Sequence, residues 1–496
     1  MSALAARLSD FGDRLNPVLV REVRQALRGR FFLVTFSLTL VFAMVASIGV
    51  LILGDLGPRP GMTLFTACSA FLSLAACLLI PVSAFLSLGA EHDEQTRDLL
   101  VLSNLSPGQI VRGKFLTFFL LALLLTVALG PFLVLSALLN GVDLFLIAVQ
   151  LADTLVRCVG FTLLALCLSA LAPNRGVRGL LLLVMILFMF SFGMMSMTVG
   201  AMVGSGLVTP GAHLAGMSLF VLVAGSFLYT LACMRFTHPE ENRSTPLRLQ
   251  LSGSVFLLNV IILLFPKMGS GDFTLAGPAS WSLSTDTVLI SLAAFSFASL
   301  VFASESSILS RRVSVHVPIS RLKLWIAYPF LPGGGKAVAW FLMNAGLYAA
   351  LIILVETVGV SRSGHLMQGW VITVAVTLTA ALFAPAVLPS LTRTTQRRFW
   401  LVSSTCVLVI GSTSVSELYH TVVHTGFGGE FWRIGSPLGL IGKVSYGGFQ
   451  DQFAAVIFYT VLGGLSLVLN SVRMVREARE LAAASSRRQA FLALAS

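Results

Sequence analysis

Long apolar runs separated by short polar segments dominate this chain. A helix needs about 20 mostly apolar residues to cross about 30 Å of hydrocarbon. Twelve segments are candidate spans, good to a few residues at each end: 31–53, 64–88, 115–139, 144–172, 179–203, 214–234, 251–266, 287–304, 337–357, 369–391, 399–416 and 453–472. The shortest is 251–266, and 399–416 is rich in Ser and Thr. Runs such as LLLLVMILFMF do not alternate as barrel strands do, so the pattern predicts helices. The expected fold is all-α: a polytopic integral membrane protein with about 12 transmembrane helices. Pro and Gly cluster between the spans, as in LGPRPG, PKMGSGD and FLPGGGK. The longest connections, 305–336 and 417–452, are too short for a soluble catalytic domain. Residues 1–30 are polar and Arg-rich, with no apolar stretch or small-residue cleavage site. The first apolar segment is therefore expected to insert and stay.

Composition agrees. Hydrophobic residues make up 56% of the 496 and charged residues only 11%, against about 25% charged in soluble domains. The net charge of +12 would suggest nucleic acid in a soluble protein. Its distribution points elsewhere. With twelve spans and a cytoplasmic N-terminus, 27 of the 33 Lys and Arg fall in cytoplasmic segments and five outside, with Arg157 inside a span. That bias predicts both termini in the cytoplasm. The basic residues spread over seven short segments beside the headgroups, so no nucleic-acid partner is expected. The six cysteines, Cys68, Cys77, Cys158, Cys167, Cys233 and Cys406, lie in apolar runs without a CxxC and read as small buried hydrophobes.

Two polar segments carry the most information. Before the first span stands NPVLVREVRQALRGRFF. Asn16 and Pro17 suit a helix start, Val20, Val23, Leu27 and Phe31 recur at helical spacing, and Arg21, Arg24, Arg28 and Arg30 fill most of the remaining surface. Such a helix lies along the headgroup layer; a plain positive-inside anchor is the alternative. Between spans two and three stands AEHDEQTRDLLVLSNLSPGQIVRGK. It opens on Glu91, Asp93, Glu94 and Asp98, continues with an apolar stretch from Leu99 to Leu102, turns at Ser106-Pro107, restarts as a helix and closes on Arg112 and Lys114. An apolar, charged hairpin held near the membrane suits the docking of a soluble partner; an amphipathic connector lying on lipid is the alternative.

These segments resemble the ABC-2 type transporter permeases. The resemblance rests on Asn16, Pro17, Arg21, Glu22, Arg24 and Gln25, and on Glu91, Thr96, Asp98, Leu99, Leu100, Ser106, Pro107, Ile110, Gly113 and Lys114. It covers about residues 16–140, and the six-span pattern extends it to about 250. It implies an interfacial elbow helix at 16–30 and a coupling hairpin at 89–114, in which Glu91, Asp93, Glu94, Thr96, Asp98, Leu99, Leu100, Ser106, Pro107 and Lys114 serve ATPase coupling. It also implies a bacterial cytoplasmic (inner) membrane location and, as partners, an ABC ATPase subunit, the lipid bilayer, and a second permease chain or accessory protein. A permease unit of that family has about six spans. Twelve suggest two fused units, 1–250 and 251–496, the second ending in a cytoplasmic helix at 473–496. The loop 305–336 occupies the matching place in the second half, following Glu305 and ending at Lys336, but lacks the DLL…LSP pattern.

The chain carries no ATPase signature of its own. A P-loop reading of GGGKA at 333–337 needs Gly at 330 and Ser or Thr at 337, where Phe330 and Ala337 stand. ATP would be bound by the partner subunit, and no cofactor is expected on this chain. Three polar sets remain. Gln150, Asp153 and Arg157 share one helix face, with Asp153 and Arg157 spaced to pair at i, i+4; they form either a structural pair or part of a conduit. His420 and His424 form HxxxH near Glu417 and Glu430, but Thr421 excludes the HExxH protease motif, leaving a metal or proton site as the alternative. Gly200 and Gly204 make a GxxxG suited to close helix packing. The leading expectation is a transport subunit, an exporter of a lipid, drug, peptide or ion. The alternatives are an integral membrane enzyme acting on lipid-linked substrates and a non-transporting scaffold or sensor.

Overall fold

The computed structural model describes residues 17–53, 60–93, 106–139, 142–172, 175–204, 210–237, 242, 244–264, 295–296, 298–303, 305, 313–314, 317–357, 366–380, 382, 405 and 453–495. Among them helix dominates and no strand occurs. Among the described residues, seven helical segments are long and apolar enough to cross a membrane: Arg30–Ile52, Pro60–Ala90, Pro107–Leu138, Leu144–Leu171, His213–Phe236, Gly334–Leu354 and Ala455–Gln489. The other five expected spans meet a different outcome. Segments 179–203, 251–266 and 369–391 overlap helices outside that set, the last because its helix has only 15 described residues. Segments 287–304 and 399–416 fall largely outside the described residues.

The chain divides into two compact units, Met1–Thr237 and His238–Ser496. In the first, α1 (Pro17–Arg28) is followed after Gly29 by α2 (Arg30–Leu53). The Gly29 N–H donates to Ala26 O at 3.0 Å, and a Cβ on Gly29 would lie 3.1 Å from that oxygen. The break between the polar helix and the apolar one therefore falls where a side chain would be crowded. Next come α3 (Pro60–Leu74), a π turn (Ala75–Leu79) and α4 (Ile80–Asp93). Pro81 has no N–H for the carbonyl four residues back and would crowd it. The wider turn just before it, with Ile80 N–H on Ala75 O, relieves that conflict.

The unit continues with α5 (Pro107–Leu138), α6 (Leu144–Leu171), α7 (Arg175–Gly204) and α8 (Pro210–Phe236). Helix α6 is central, packing on α4, α5 and α8. Its most apolar window is 61% buried, against 22% for α2. Peripheral α2 shows Val34, Val41, Val45 and Ile52 outward, as a helix facing lipid should. Hydroxyls inside the apolar helices bond back to their own chain, as Thr39 does to Thr35 O, Ser47 to Ala43 O and Thr126 to Ala122 O. Hydrocarbon supplies no alternative partner, so internal satisfaction is required.

The second unit holds α9 (Ser244–Leu264), the short α10 (Arg321–Ala327) with a 3₁₀ turn (Tyr328–Phe330), α11 (Gly334–Thr357), α12 (Leu366–Ala380) and α13 (Phe453–Ala495). Helix α13 has 43 residues, about 64 Å at 1.5 Å per residue. That is twice the thickness of the hydrocarbon. The expected last span and the expected terminal helix are thus one continuous rod.

Candidate functional site

The two informative sequence segments meet in the first unit. Helix α1 packs along the start of α5. Lys114, 1% exposed, places its Nζ 3.3 Å from Glu22 Oε1 and 3.4 Å from Ser87 Oγ of α4. The Glu22 side chain keeps 12% of its surface exposed. A lysine with so little access to water has to be paired. Glu22 supplies the pairing, so α1, α4 and α5 meet at one charge pair where the described parts of the 89–114 segment enter α4 and α5.

The rest of that junction is equally tied. Ser106 caps α5: its Oγ accepts from Gln109 N at 3.3 Å, and Gln109 Oε1 accepts from Ser106 N at 2.9 Å. With Pro107 in the first helical turn, this is a full capping box. Arg112 Nε donates to Tyr229 Oη at 3.0 Å and to Gly108 O at 3.3 Å, joining α5 to α8. Arg178 of α7 donates to Gly89 O near the end of α4 at 2.9 Å, and Arg235 of α8 donates to Ala170 O near the end of α6 at 3.1 Å. The Arg178 and Arg235 guanidiniums thus each meet the carbonyl-rich, partially negative end of a helix. Ser106→Ala should lower the unfolding free energy by about 1 kcal/mol and raise hydrogen exchange in the first turn of α5 alone.

The sequence-expected residues divide as follows. Glu22 pairs with Lys114, while Ser106 and Pro107 cap and start α5 two turns before Lys114. Arg21, Arg24 and Gln25 lie on α1 and are exposed. Pro17 begins α1, and Asn16 lies outside the described residues. Glu91 and Asp93 belong to the last turn of α4, and only their backbone is described. Glu94, Thr96, Asp98, Leu99 and Leu100 lie outside the described residues, as do Glu417, His420, His424 and Glu430. Ser87, Arg178 and Tyr229 have no spacing signal in the sequence, because each acts across elements.

The polar set on α6 gains a member. Asp153 and Arg157 form the expected i, i+4 ion pair, both buried. His213, at the start of α8, brings Nε2 to 3.4 Å from Asp153 Oδ1. Gln150 lies one turn earlier and receives Thr154 Oγ1 on its backbone oxygen. Gly160 and Gly225 let α6 and α8 approach: an added Cβ would come within 3.2 Å of Val221 and 3.0 Å of Leu163. The set therefore bridges two closely packed helices.

The second unit holds a larger buried charge cluster. Arg248 of α9, fully buried, donates to Glu305 Oε2 at 2.9 Å and to Pro329 O, Leu331 O and Gly333 O at 2.7–3.2 Å. Glu477 of α13 accepts from Gly335 N at 2.9 Å and Lys336 N at 3.1 Å, and pairs with Arg473 at 3.4 Å. The PGGGK turn thus wraps an anion at a helix N-terminus, as phosphate-binding turns do, but the anion is the chain's own carboxylate. Nearby, Tyr328 Oη donates to Met474 O at 2.8 Å. Burial, and then the Glu477 charge, push the Tyr328 hydroxyl well above its ordinary pKa, which keeps the donor protonated.

No protein-family model, curated protein or solved structure matches this chain.

Proposed function

We propose that the chain is the permease subunit of an ATP-binding-cassette exporter, coupled to a separate ATPase through the 89–114 hairpin. The observation that carries this reading is the Glu22–Lys114 pair. Glu22 belongs to the first of the two segments that resemble ABC-2 permeases and Lys114 to the second. Nothing in their sequence spacing brings them together. The pair supports α1 as an elbow bound to the hairpin rather than a loose basic anchor.

The coupling follows from continuity. The hairpin's ends are α4 and α5 themselves, both part of segments long enough to cross the bilayer. Force applied to the 94–105 segment would pass directly into two long helices. The ties from Glu22, Arg112 and Arg178 spread it to α1, α8 and α7. In this reading the chain performs no bond chemistry, and ATP is bound and hydrolysed by the partner. Twelve spans, cytoplasmic termini and a bacterial inner membrane location complete the proposal, on the charge distribution described above.

The test is co-purification from native membranes. A P-loop ATPase should be retained with the wild-type chain, and charge reversal at Glu91, Asp93 and Glu94 should release it at unchanged permease yield. Absence of any ATPase, or retention by the charge-reversed chain, defeats the proposal.

A further inference from the structure

Beside the Glu22–Lys114 pair, α1, α2 and α5 enclose an open groove of about 530 Å³. Its lining is entirely apolar and includes Val23 and Leu27 of α1, Phe36 of α2, and Leu120, Leu124 and Val127 of α5. Several of these side chains are left uncovered by the rest of the unit, Val127 most of all at 67% exposed. The groove has a direction. Lys114 marks a level at which α1 meets α5. The α5 lining begins six residues further on and ends at Ala128, so it runs from about 9 to about 21 Å along the helix from that level. One end therefore lies at the polar helix α1 and the other inside the hydrocarbon.

The polar end carries charge. Arg24 and Arg28 each follow a groove residue, Val23 and Leu27, by one position. Spaced i, i+4 and both exposed, they form a basic strip on α1 adjacent to its lining residues. Among the described residues neither guanidinium meets a carboxylate, because Glu22 on the same helix is engaged by Lys114. An apolar slot about 12 Å long, with two exposed arginines on the helix that lines one side of it, matches an amphiphile with one anionic head and an extended tail.

We infer that this groove is a binding site for a single anionic glycerophospholipid, its acyl chain along α5 and its phosphate on Arg24 and Arg28. The division of labour follows from the solvent. Tails leave one hydrocarbon environment for another, so the groove adds packing but little hydrophobic drive. Selection therefore falls to the headgroup, through guanidinium–phosphate hydrogen bonds and roughly fivefold in affinity per basic residue near the surface. Bound there, the lipid would wedge the angle between α1 and α5, the joint that the Glu22–Lys114 pair closes. The inference rests on α1 lying at the headgroup layer, as the proposed function also does, but not on an ATPase partner.

The full-length chain is reconstituted in bilayers of equal phosphatidylglycerol and phosphatidylcholine, re-extracted in non-ionic detergent, and its retained lipid counted by native mass spectrometry. Wild type should retain phosphatidylglycerol in preference. R24Q/R28Q should cut that retention roughly 25-fold and leave phosphatidylcholine unchanged, while R321Q, an exposed arginine of the second unit, should change nothing. L124W, which fills the groove, should lose both lipids. If R24Q/R28Q does not fold, L124W decides alone. Equal retention of both lipids by wild type, or unchanged retention by L124W, overturns the inference. So does a disulfide-linked homodimer from L124C in native membranes, which would make a second copy the occupant. Lipid selection without ATPase capture would leave this site standing and remove the proposed function.

Discussion

Replacing Glu22 with leucine should lower the unfolding free energy of the first unit by about 3–5 kcal/mol, the range for removing one partner of a buried ion pair. The reverse deletion, Lys114→Met, should cost less. The asymmetry follows from burial. Lys114 has 1% of its surface exposed and cannot reach water once Glu22 is gone, while Ser87 at 3.4 Å offers a hydroxyl but no charge. Glu22 retains 12% and can turn outward when Lys114 is removed. The double variant E22L/K114M leaves no orphaned charge and fills both positions with apolar groups of similar length. It should recover most of the loss, because an apolar pair often matches a buried ion pair in stability. Thermal unfolding in detergent should therefore rank the midpoints as wild type and double variant above K114M, and K114M above E22L. A double variant that falls as far as the sum of the singles would show that the two side chains act independently. The proposed coupling would then lose its joint.

The membrane-spanning helices were legible in the sequence because lipid imposes one dominant rule. Apolar length reports it, and the segments at 31–53, 115–139 and 144–172 coincide with helices to within a few residues, apart from the extra polar start of α5. The Asp153–Arg157 pair was legible for a similar reason, since helical periodicity alone sets i, i+4 neighbours. The restart at Ser106-Pro107 was legible as a turn, although its reciprocal bond with Gln109 needed side-chain geometry. Contacts across elements were not legible. Glu22 and Lys114 were each conspicuous, but nothing in either segment says that α1 folds back along α5. His213 gave still less warning, a lone histidine at the head of an apolar run whose partner lies on another helix. In the second half, Glu305 and Lys336 stood out as the ends of a loop. Their partners, Arg248 and Glu477, lie in helices whose sequences otherwise read as a span edge and a basic tail.

Glu477 is the residue whose loss should cost the second unit most. Its carboxylate, 1% exposed, accepts the N–H groups of Gly335 and Lys336 and faces the Arg473 guanidinium. Glu477→Ala would leave two amides at the start of α11 without their acceptor and remove the counter-charge from a pocket that also holds Lys336 and Arg248, both fully buried. A loss of about 3–5 kcal/mol is expected. Glu477→Gln separates shape from charge. The amide fits the space and can satisfy one N–H, but its NH₂ opposes the other, so most of the loss should remain. The surrounding glycines sharpen the prediction. Gly333 has φ +141°, and an added Cβ there would lie 2.8 Å from Glu477 Oε2. Gly333→Ala should therefore be destabilising in the wild type for both reasons. In the Glu477→Ala background only the backbone strain, about 1–3 kcal/mol, should persist. Unfolding midpoints for the two single variants and their combination test this directly. If G333A costs the same in both backgrounds, the turn is not shaped around the carboxylate. A smaller cost in the E477A background would establish that the glycine-rich turn is closed on an internal anion and is filled before any phosphate could enter.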